Sequence, residues 1–380
     1  MPGPATESSL GARVAAYDLE APLGRASTLP APLYRDADVA ELERRAVFAR
    51  SWQPIARLEQ LAAPGAFVTA EVAGEPVVAV RGQDAVLRAF LNVCRHHAAA
   101  VASEPCGVCS VLRCPYHGWT YGLDGALKGT PDFDGVQGFD RSAYGLAPVE
   151  VAAWEGLVLA RASADGPSWA EQLASAAALA PRLGLGRMRF FERRSYELRC
   201  NWKVFVDNYL DGGYHVPFLH RGLDSVLDYA RYQIENGERH CLQTSPLRAE
   251  GAEAETGAVR RGPRADYLWL YPNLMINVYG GALDTNLVLP LAVDRTRVVF
   301  DFYFEDVGEG ARERNQESVR VAERIQQEDV AICEAVQRGL GSRAYLTGRL
   351  SVRREGGMHL FHRLLAADLR RELGLAAPTR

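Results

Sequence analysis

Two short stretches of the sequence each carry a cysteine and a histidine at metal-ligand spacing. Cys94 and His96 form a C-x-H pair, Cys114 and His117 form a C-x-x-H pair, and 17 residues separate His96 from Cys114. Two thiolates and two imidazoles can hold a zinc ion, or a [2Fe–2S] cluster in which the cysteines bind one iron and the histidines bind the other. A zinc finger usually pairs cysteine with cysteine and histidine with histidine. The alternating order found here lets each loop reach both irons, so it favours the cluster.

The residues around these two pairs are expected to play smaller parts. Gly118 permits a tight backbone turn beside the cluster, and His97 is expected to point away from it. Cys106 and Cys109 are interpreted as thiols of a surface loop. The remaining cysteines are interpreted as small hydrophobic residues of the core, and they are Cys200, Cys241 and Cys333.

A second set of candidate ligands lies in residues 201–220, which are predicted to be helical. The apolar side chains with helical spacing are Trp202, Phe205, Val206, Tyr209 and Leu210. His215 and His220 are five residues apart, about 140° of rotation on an ideal helix, so a continuous helix would keep them from sharing a metal. Pro217 is predicted to break the helix between them. Two imidazoles brought together in this way suit the two-histidine, one-carboxylate triad of non-haem Fe(II) oxygenases.

Asp329 is the predicted third ligand of that triad. Residues 311–340 are predicted to form one long helix, and at about 100° per residue Asp329 lies in the middle of its apolar face. An ionised carboxylate there is costly unless it is paired or bound to a metal. The alternative interpretation is a buried aspartate that caps or salt-bridges an adjacent element. Glu328 is predicted to point off this face into solvent.

The elements that must position these residues fall into two groups. Short β-rich runs separated by turn residues fill residues 65–160 and predict a small antiparallel β domain with two long loops at one end. After a linker at 161–182, helices mix with apolar runs that are typical of successive antiparallel strands. Residues 1 to about 35 are expected to form a loosely ordered leader, followed by a short helix at 38–50.

Composition and charge exclude several classes of protein. Apolar residues make up 48% of the 380 residues and charged residues 24%, which excludes a disordered chain, a collagen-like fibre and a coiled coil. A net charge of -4 gives no basic surface for nucleic acid or an anionic membrane. The sequence shows no apolar signal segment and no membrane-spanning run. The expected compartment is therefore the cytoplasm, without a nucleic-acid or membrane partner.

The motifs together resemble a known family. CRHH…CPYHGW resembles the Rieske centre of ring-hydroxylating and related oxygenases. The segments NWK…DNYLDGGYHVPFLH, YPNLM and QQEDVAICEAVQRGL are similar to the catalytic α-subunit of Rieske non-haem iron oxygenases, in particular to its choline monooxygenase-like subgroup. The resemblance implies an α+β fold with a small antiparallel β Rieske domain and a catalytic domain whose curved antiparallel sheet is flanked by helices. The implied domains are a leader at 1–37, a Rieske domain with its N-terminal helix at 38–162, and a catalytic domain at 163–380.

The resemblance also implies cofactors and partners. The implied ligands of a Rieske-type [2Fe–2S] cluster are Cys94, His96, Cys114 and His117, and those of a mononuclear Fe(II) are His215, His220 and Asp329. O2 is the implied co-substrate, and a separate reductase, with or without a ferredoxin, supplies electrons from NAD(P)H. The family forms homotrimers in which one subunit's cluster feeds the iron of its neighbour through a bridging carboxylate.

That bridging carboxylate departs from the family pattern in this chain. In many members it lies three residues before the first iron-binding histidine, where this chain has Gly212. Asp211 lies four residues before His215 and is the predicted bridging acid, since positions three and four apart are both neighbours on a helix. Asp207 is the reserve candidate. Asn208 is interpreted either as a hydrogen-bond donor to an iron ligand or as a cap.

The predicted function is that of a Rieske-type oxygenase that hydroxylates a choline-like or N-methylated amine, by monooxygenation or N-demethylation. Choline-like substrates need an aromatic cage for cation–π contacts. The candidate substrate-binding residues are Phe218, Trp269, Tyr271 and Tyr279. One alternative is an aromatic ring-hydroxylating oxygenase that uses similar residues for stacking. The other is a Rieske electron-transfer protein with an inactive second half.

Overall fold

The computed structural model describes residues 9–248 and 254–375. Contacts divide the chain into two compact units. We call Val47–Gln172 the β unit, and Met1–Ala46 together with Leu173–Arg380 the mixed unit. The first eight residues of the predicted leader lie outside the described residues.

The α-helices of the described residues belong almost entirely to the mixed unit. They are α1 (Leu10–Ala15), α2 (Pro32–Arg35), α3 (Ala37–Glu43), α4 (Trp169–Ala177), α5 (Ala180–Leu183), α6 (Trp202–Tyr209), α7 (Val216–Leu219), α8 (Arg221–Val226), α9 (Ala254–Val259), α10 (Arg312–Leu340) and α11 (Gly356–Glu372). Among the described residues, none of these helices has the length and apolar character needed to span a bilayer. Helix α10 matches the long helix predicted over residues 311–340.

The strands of the β unit form two antiparallel sheets. They are β1 (Gln53–Arg57), β2 (Ala66–Val72), β3 (Glu75–Arg81), β4 (Leu87–Leu91), β5 (Cys106–Val108), β6 (Leu112–Arg113), β7 (Thr120–Tyr121), β8 (Leu127–Gly129), β9 (Pro148–Trp154) and β10 (Leu157–Arg161). The larger sheet has the order β1-β10-β9-β4-β3-β2-β5, and the smaller has the order β6-β7-β8. The predicted small antiparallel β domain is confirmed, and its two cysteine–histidine pairs follow β4 and β6.

The mixed unit is built on one antiparallel sheet. Its strands are β11 (Arg189–Leu198), β12 (Gln233–Asn236), β13 (His240–Pro246), β14 (Arg264–Leu270), β15 (Leu274–Tyr279), β16 (Ala282–Ala292) and β17 (Arg295–Phe304), in the order β11-β17-β16-β15-β14-β13-β12. Helix α6 packs against both β16 and α10. The predicted α+β fold class, with a helix-flanked antiparallel sheet in the second half, is therefore confirmed.

The helix near the N-terminus packs differently from the prediction. The sequence placed a helix at 38–50 in the domain that contains the cysteine–histidine pairs, whereas the structure places residues up to Ala46 in the mixed unit. Glu43, at the end of α3, provides the physical reason. Its carboxylate is buried, accepts a hydrogen bond from Trp202 Nε1 at 2.7 Å and pairs with Lys203 Nζ at 2.7 Å.

The helix that carries the second set of candidate ligands is broken by glycines, and the prediction of a break at Pro217 is wrong. Helix α6 ends at Tyr209, and Gly212 and Gly213 follow with φ of +69° each, a conformation that favours glycine. Pro217 lies in the first turn of α7, where its missing N–H is tolerated. The glycine turn therefore separates α6 from the two histidines, which lie at the two ends of the short helix α7.

Candidate metal centres

The two cysteine–histidine loops of the β unit fold into the same backbone turn. In the first loop, the Cys94 N–H donates to the Ala99 carbonyl, and the Ala98 N–H donates to the Cys94 carbonyl. In the second, Cys114 N–H donates to the Trp119 carbonyl, and Gly118 N–H donates to the Cys114 carbonyl. The fourth residue after each cysteine has a positive φ, +61° at Ala98 and +73° at Gly118. This repeated turn points both cysteines toward the core of the unit.

The thiols lie on the buried side of this centre and the imidazoles on its more exposed side. Cys94 and Cys114 are both buried, and the Tyr121 hydroxyl lies 3.4 Å from the Cys94 sulfur. The pKa of the Cys114 thiol is raised, first by burial and then by the adjacent Cys94, while backbone N–H groups of the following residues act in the opposite direction. N–H donors aimed at a sulfur are one of the features that tune an iron–sulfur cluster.

The imidazoles of His96 and His117 lie next to each other in an edge-to-face arrangement. Their ring centroids are 4.8 Å apart, and His96 stacks on Trp119 with a centroid separation of 4.7 Å. Among the described residues, the buried Nδ1 of His96 has no hydrogen-bond partner. The pKa of His96 is lowered, first by burial and then by the neighbouring His97 and His117. Two buried thiols, two neighbouring imidazoles and an unpartnered ring nitrogen fit a cluster held by two cysteines and two histidines.

The prediction that His97 points away from this centre is wrong. Its ring lies 4.1 Å from that of His96 and 5.4 Å from that of His117, and a nitrogen of each of the three rings falls within 4.8 Å of the others. The other cysteines are free thiols, as interpreted, but Cys106 begins strand β5 and does not lie in a loop. Cys106 is exposed, Cys109 is half-buried, and both are free thiols. The buried free cysteines are Cys200, Cys241 and Cys333.

The mixed unit brings together His215, His220 and Asp329. One ligand atom from each lies within 4.8 Å of the other two, and His220 Nε2 is 3.1 Å from Asp329 Oδ1. His220 is 1% exposed, whereas His215 and Asp329 are half-buried. This set has the composition and open side of a two-histidine, one-carboxylate iron site.

A carboxylate binds the outer nitrogen of each histidine. His215 Nδ1 lies 2.6 Å from Asp211 Oδ2, and His220 Nδ1 lies 2.5 Å from Glu328 Oε2. These contacts leave Nε2 of both rings facing the centre, which is how carboxylates commonly orient metal-binding histidines. The prediction that Glu328 points away into solvent is wrong, because its carboxylate reaches His220 although its side chain is 45% exposed.

Asn208 donates its side-chain N–H to Asp329 Oδ1 at 2.7 Å. Of the two interpretations offered for this residue, the hydrogen bond to a ligand is the one found. Burial acts to lower the pKa of His220, but hydrogen bonds and charges of Asp329 and Glu328 outweigh it, so the pKa is raised overall. In a metal-free protein these carboxylates would hold a proton on the ring, and a cation bound at Nε2 would take that proton's place.

The two candidate bridging acids have separate partners. Asp211 Oδ2 also accepts the His215 backbone N–H at 3.0 Å, and its Oδ1 accepts that of Tyr214 at 3.1 Å. Asp207 instead accepts from the Tyr34 hydroxyl at 2.5 Å and contacts His362 Nε2 at 2.8 Å. Position 212 has no room for an acid, because a Cβ on Gly212 would lie 2.2 Å from the Arg354 carbonyl oxygen. Only Asp211 contacts a ligand of the triad.

A cavity opens beside the triad. All three triad residues line it, together with Asn208. Its aromatic lining residues are Phe205, Tyr209, Tyr232, Tyr267, Tyr279 and Phe300, and its other polar lining residues include Gln243, Arg260, Asn277, Asp284, Asn286 and Gln326. An aromatic cavity with a few polar groups beside a metal site is the usual form of a substrate pocket.

The structure places one of the four predicted substrate-binding residues, Tyr279, on this cavity. Trp269 and Tyr271 are buried elsewhere, with Trp269 packed on Phe361 and the Tyr271 hydroxyl bonded to Asp368 at 2.8 Å. Phe218 is 83% exposed and does not line the cavity.

Sequence reasoning missed the tyrosines Tyr209, Tyr232 and Tyr267. Strand alternation puts Tyr267 and Trp269 on the same face of β14, so periodicity could not separate them. What separates the two residues is how far along β14 each lies from the triad. That distance is known only once the fold is known.

Comparisons with known proteins agree with this geometry. A family model described as the ring hydroxylating alpha subunit (catalytic domain) matches residues 185–370, and one described as the Rieske [2Fe-2S] domain matches residues 51–140. The chloroplastic choline monooxygenase of Arabidopsis thaliana is 38% identical over 96% of this chain and 88% of its own.

A carnitine monooxygenase oxygenase subunit of Acinetobacter pittii is 32% identical over 84% of this chain and 86% of its own. Among solved structures, the quaternary ammonium Rieske monooxygenase CntA in complex with L-carnitine superposes with a TM-score of 0.81. It has 29% identity and covers 96% of this chain and 99% of that one.

Proposed function

The chain belongs to the Rieske non-haem iron oxygenases, and on that premise we propose that its substrate is a small quaternary or N-methylated amine. It is an oxidoreductase with a Rieske [2Fe–2S] cluster and a mononuclear iron, and it depends on a reductase for electrons. The observation that carries the substrate proposal is the aromatic cavity beside the triad, in a chain similar to choline and carnitine monooxygenases.

We propose the following ligands on the contacts described above. The cluster is held by Cys94, His96, Cys114 and His117, and the iron by His215, His220 and Asp329. Asp211 and Glu328 fix the histidine rings with Nε2 toward the iron, and Asn208 holds the Asp329 carboxylate.

Bound iron supplies the activation of O2, which needs the open coordination positions that such a triad leaves. The overall reaction converts one C–H bond, O2, two electrons and two protons into one C–OH bond and water. When the hydroxylated carbon is attached to nitrogen, the C–N bond breaks and releases an aldehyde. The tyrosines of the cavity support a cationic amine at this place, because aromatic faces attract a quaternary ammonium group.

Asp211 is the proposed bridging acid in an assembly of several subunits, most simply the homotrimer of the family. Its bond to His215 supports a role in coupling that ring to a second centre, and the bonds of Asp207 to Tyr34 and His362 leave that acid without contact to the triad. The related enzyme CntA has been described in terms of inter-subunit electron transfer. A subunit's cluster would then deliver electrons to its neighbour's iron through Asp211.

The test is a single-turnover reaction of the dithionite-reduced protein with O2 and choline, L-carnitine or benzoate, followed by steady-state assays with a reductase and NADH. We expect choline or L-carnitine to give aldehyde or formaldehyde and benzoate to give no product. Product from benzoate alone would overturn the substrate proposal. No product from any compound, with only two irons per chain, would support the electron-carrier alternative.

Asp211→Asn tests the bridging role within the same reaction. We expect this variant to keep all its iron and to reduce its cluster with dithionite, but to reoxidise the cluster far more slowly with O2 and substrate. Asp207→Asn is the matched control, since it changes a neighbouring acid without contact to the triad. Wild-type reoxidation in Asp211→Asn would remove Asp211 from the electron path.

A further inference from the structure

Within the proposed amine-oxidising function, we propose that Arg260 binds a carboxylate on the substrate. The cavity then selects amines that carry both a quaternary ammonium and a carboxylate over choline, which carries a hydroxyl instead. The inference rests on the proposed function and narrows its substrate class.

Arg260 presents a cationic group to the cavity and forms no ion pair with a carboxylate of the described residues. It follows α9, lines the cavity and is 7% exposed. Its Nη1 lies 3.3 Å from the Ser318 hydroxyl, and its Nε is buried with no hydrogen-bond partner among the described residues. Within the described part of the chain, its only polar side-chain contact is this bond to a neutral hydroxyl. A buried guanidinium in this state is costly, and a carboxylate is the group that it pairs with best.

The nearby acid of the cavity does not fill that role. Asp284 lines the same cavity, and its Oδ1 accepts hydrogen bonds from the side-chain amides of Asn277 and Asn286, each at 2.9 Å. Burial raises the pKa of Asp284, and the charge of Arg260 only partly opposes this. Asp284 is therefore hydrogen-bonded to neutral amides, and among the described residues no carboxylate forms an ion pair with Arg260.

The ring of Tyr279 is already occupied by that cation. The guanidinium carbon of Arg260 lies 4.1 Å from the Tyr279 ring centroid. A substrate ammonium cannot use the same face, and it would be repelled by Arg260 if it approached this wall. The cationic end of the substrate is thus directed to the remaining tyrosines, which are Tyr209, Tyr232 and Tyr267.

Helix α10 carries both Ser318, which contacts Arg260, and the triad residue Asp329. The two residues lie about 16 Å apart at 1.5 Å per residue. Ala322 and Ile325 lie between them and line the cavity with apolar side chains. Arg260 therefore contacts α10 about three turns before Asp329, so a carboxylate bound at Arg260 would leave the N-methyl end of the substrate toward the triad.

The test measures binding directly, by titration calorimetry of the purified holoprotein with glycine betaine, L-carnitine and choline. We expect wild type to bind the two carboxylate-bearing ligands more tightly than choline. Arg260→Met should weaken both by about 10- to 100-fold, the range for one charge-assisted interaction, and should leave choline binding unchanged or tighter. Arg260→Lys should bind the two carboxylate-bearing ligands with an affinity between those of wild type and Arg260→Met. Lysine keeps the charge but loses the planar guanidinium that pairs with a carboxylate.

The outcomes separate this inference from the proposed function. If wild type binds and turns over choline and the two betaines equally, the proposed role of Arg260 is wrong, while amine oxidation is unaffected. The same conclusion follows if Arg260→Met loses affinity equally for all three ligands. Failure of all three ligands to bind or turn over would overturn the proposed function itself. If Arg260→Met does not fold, Ser318→Ala provides the readout, since it removes the bond that orients Arg260 and should weaken only the carboxylate-bearing ligands.

Discussion

The cluster centre takes its groups from residues 94–117, whereas those of the iron centre come from residues 215–329. In the first, two short loops repeat one backbone turn, so the local sequence sets most of the geometry. In the second, a glycine turn after α6 must meet a side chain from the middle of α10. A local motif specifies the first centre, and tertiary packing specifies the second.

The two centres also differ in how their imidazoles are held. Both outer nitrogens of the iron centre bind carboxylates, from Asp211 and Glu328. In the cluster centre, His96 is instead held by stacking on Trp119, and no carboxylate of the described residues hydrogen-bonds its ring. Carboxylates make their imidazole more basic and fix its tautomer, which suits an iron that binds O2. The cluster centre therefore relies on ring packing where the iron centre relies on carboxylates.

Removing one proposed ligand from each centre is expected to have the largest effect, since each substitution should remove one metal centre and leave the other in place. His220→Ala is expected to lose the mononuclear iron and all turnover, with iron content falling from three to two atoms per chain while the visible absorption of the cluster remains. Cys114→Ser should lose that absorption and two of the three irons. Metal analysis and visible spectra of the two variants give the measurement. Loss of both centres in either variant would show that they do not form independently.

The cluster centre, which local sequence specifies, could be predicted more fully than the iron centre, which depends on tertiary packing. The proposed ligands Cys94, His96, Cys114 and His117 could be selected from spacing, and the proposed ligand Asp329 from its place on an apolar helix face. Glu328 was missed because helical geometry says which way a side chain leaves the helix but not which loop lies beside it. The place of Tyr267 on the cavity, and the exclusion of Trp269, likewise depend on how the sheet meets α6 and α10.

The residue that ends helix α6 could not be predicted from the sequence either. Proline and glycine are both breakers in sequence terms, but only the structure shows Pro217 in a permitted first turn and Gly212 pressed against Arg354. The fold class and the family could be predicted. The boundaries of the predicted domains at residues 37 and 162 stay predictions, although the packing of Glu43 shows that the N-terminal helix joins the mixed unit.

The buried ion pair between Lys203 of α6 and Glu43 gives a second test of the comparison, since both residues belong to the mixed unit, which holds the triad. Lys203 and Glu43 are fully buried and 2.7 Å apart. Lys203→Met leaves the Glu43 charge without its partner and should lower the free energy of unfolding by about 3–5 kcal/mol. The double variant Glu43→Gln/Lys203→Met should recover most of this loss, because the glutamine can still accept the Trp202 bond. Urea unfolding followed by far-UV circular dichroism gives the measurement.

The same pair carries a pH dependence with a definite sign. Burial lowers the pKa of Lys203, although Glu43 opposes it. Between that lowered pKa and the ordinary value of 10.5 the unfolded chain binds more protons than the folded one, so stability rises with pH there relative to the double variant. A single variant as stable as the double one, with no difference in pH profile, would show that the pair is not ionised in the folded protein.

The smallest effect is expected from substitution of His97, which tests which imidazole beside the cluster centre binds iron. Its ring is exposed and lies beside both proposed histidine ligands, so proximity alone would allow it to bind iron in place of one of them. The repeated turn argues otherwise, since it positions the pairs that begin at Cys94 and Cys114. His97→Ala should therefore keep its iron content, visible absorption and turnover, while His96→Ala should lose the cluster. If the two variants exchanged these outcomes, His97 would be the ligand, and the side chains rather than the backbone turns would decide which imidazole faces the irons.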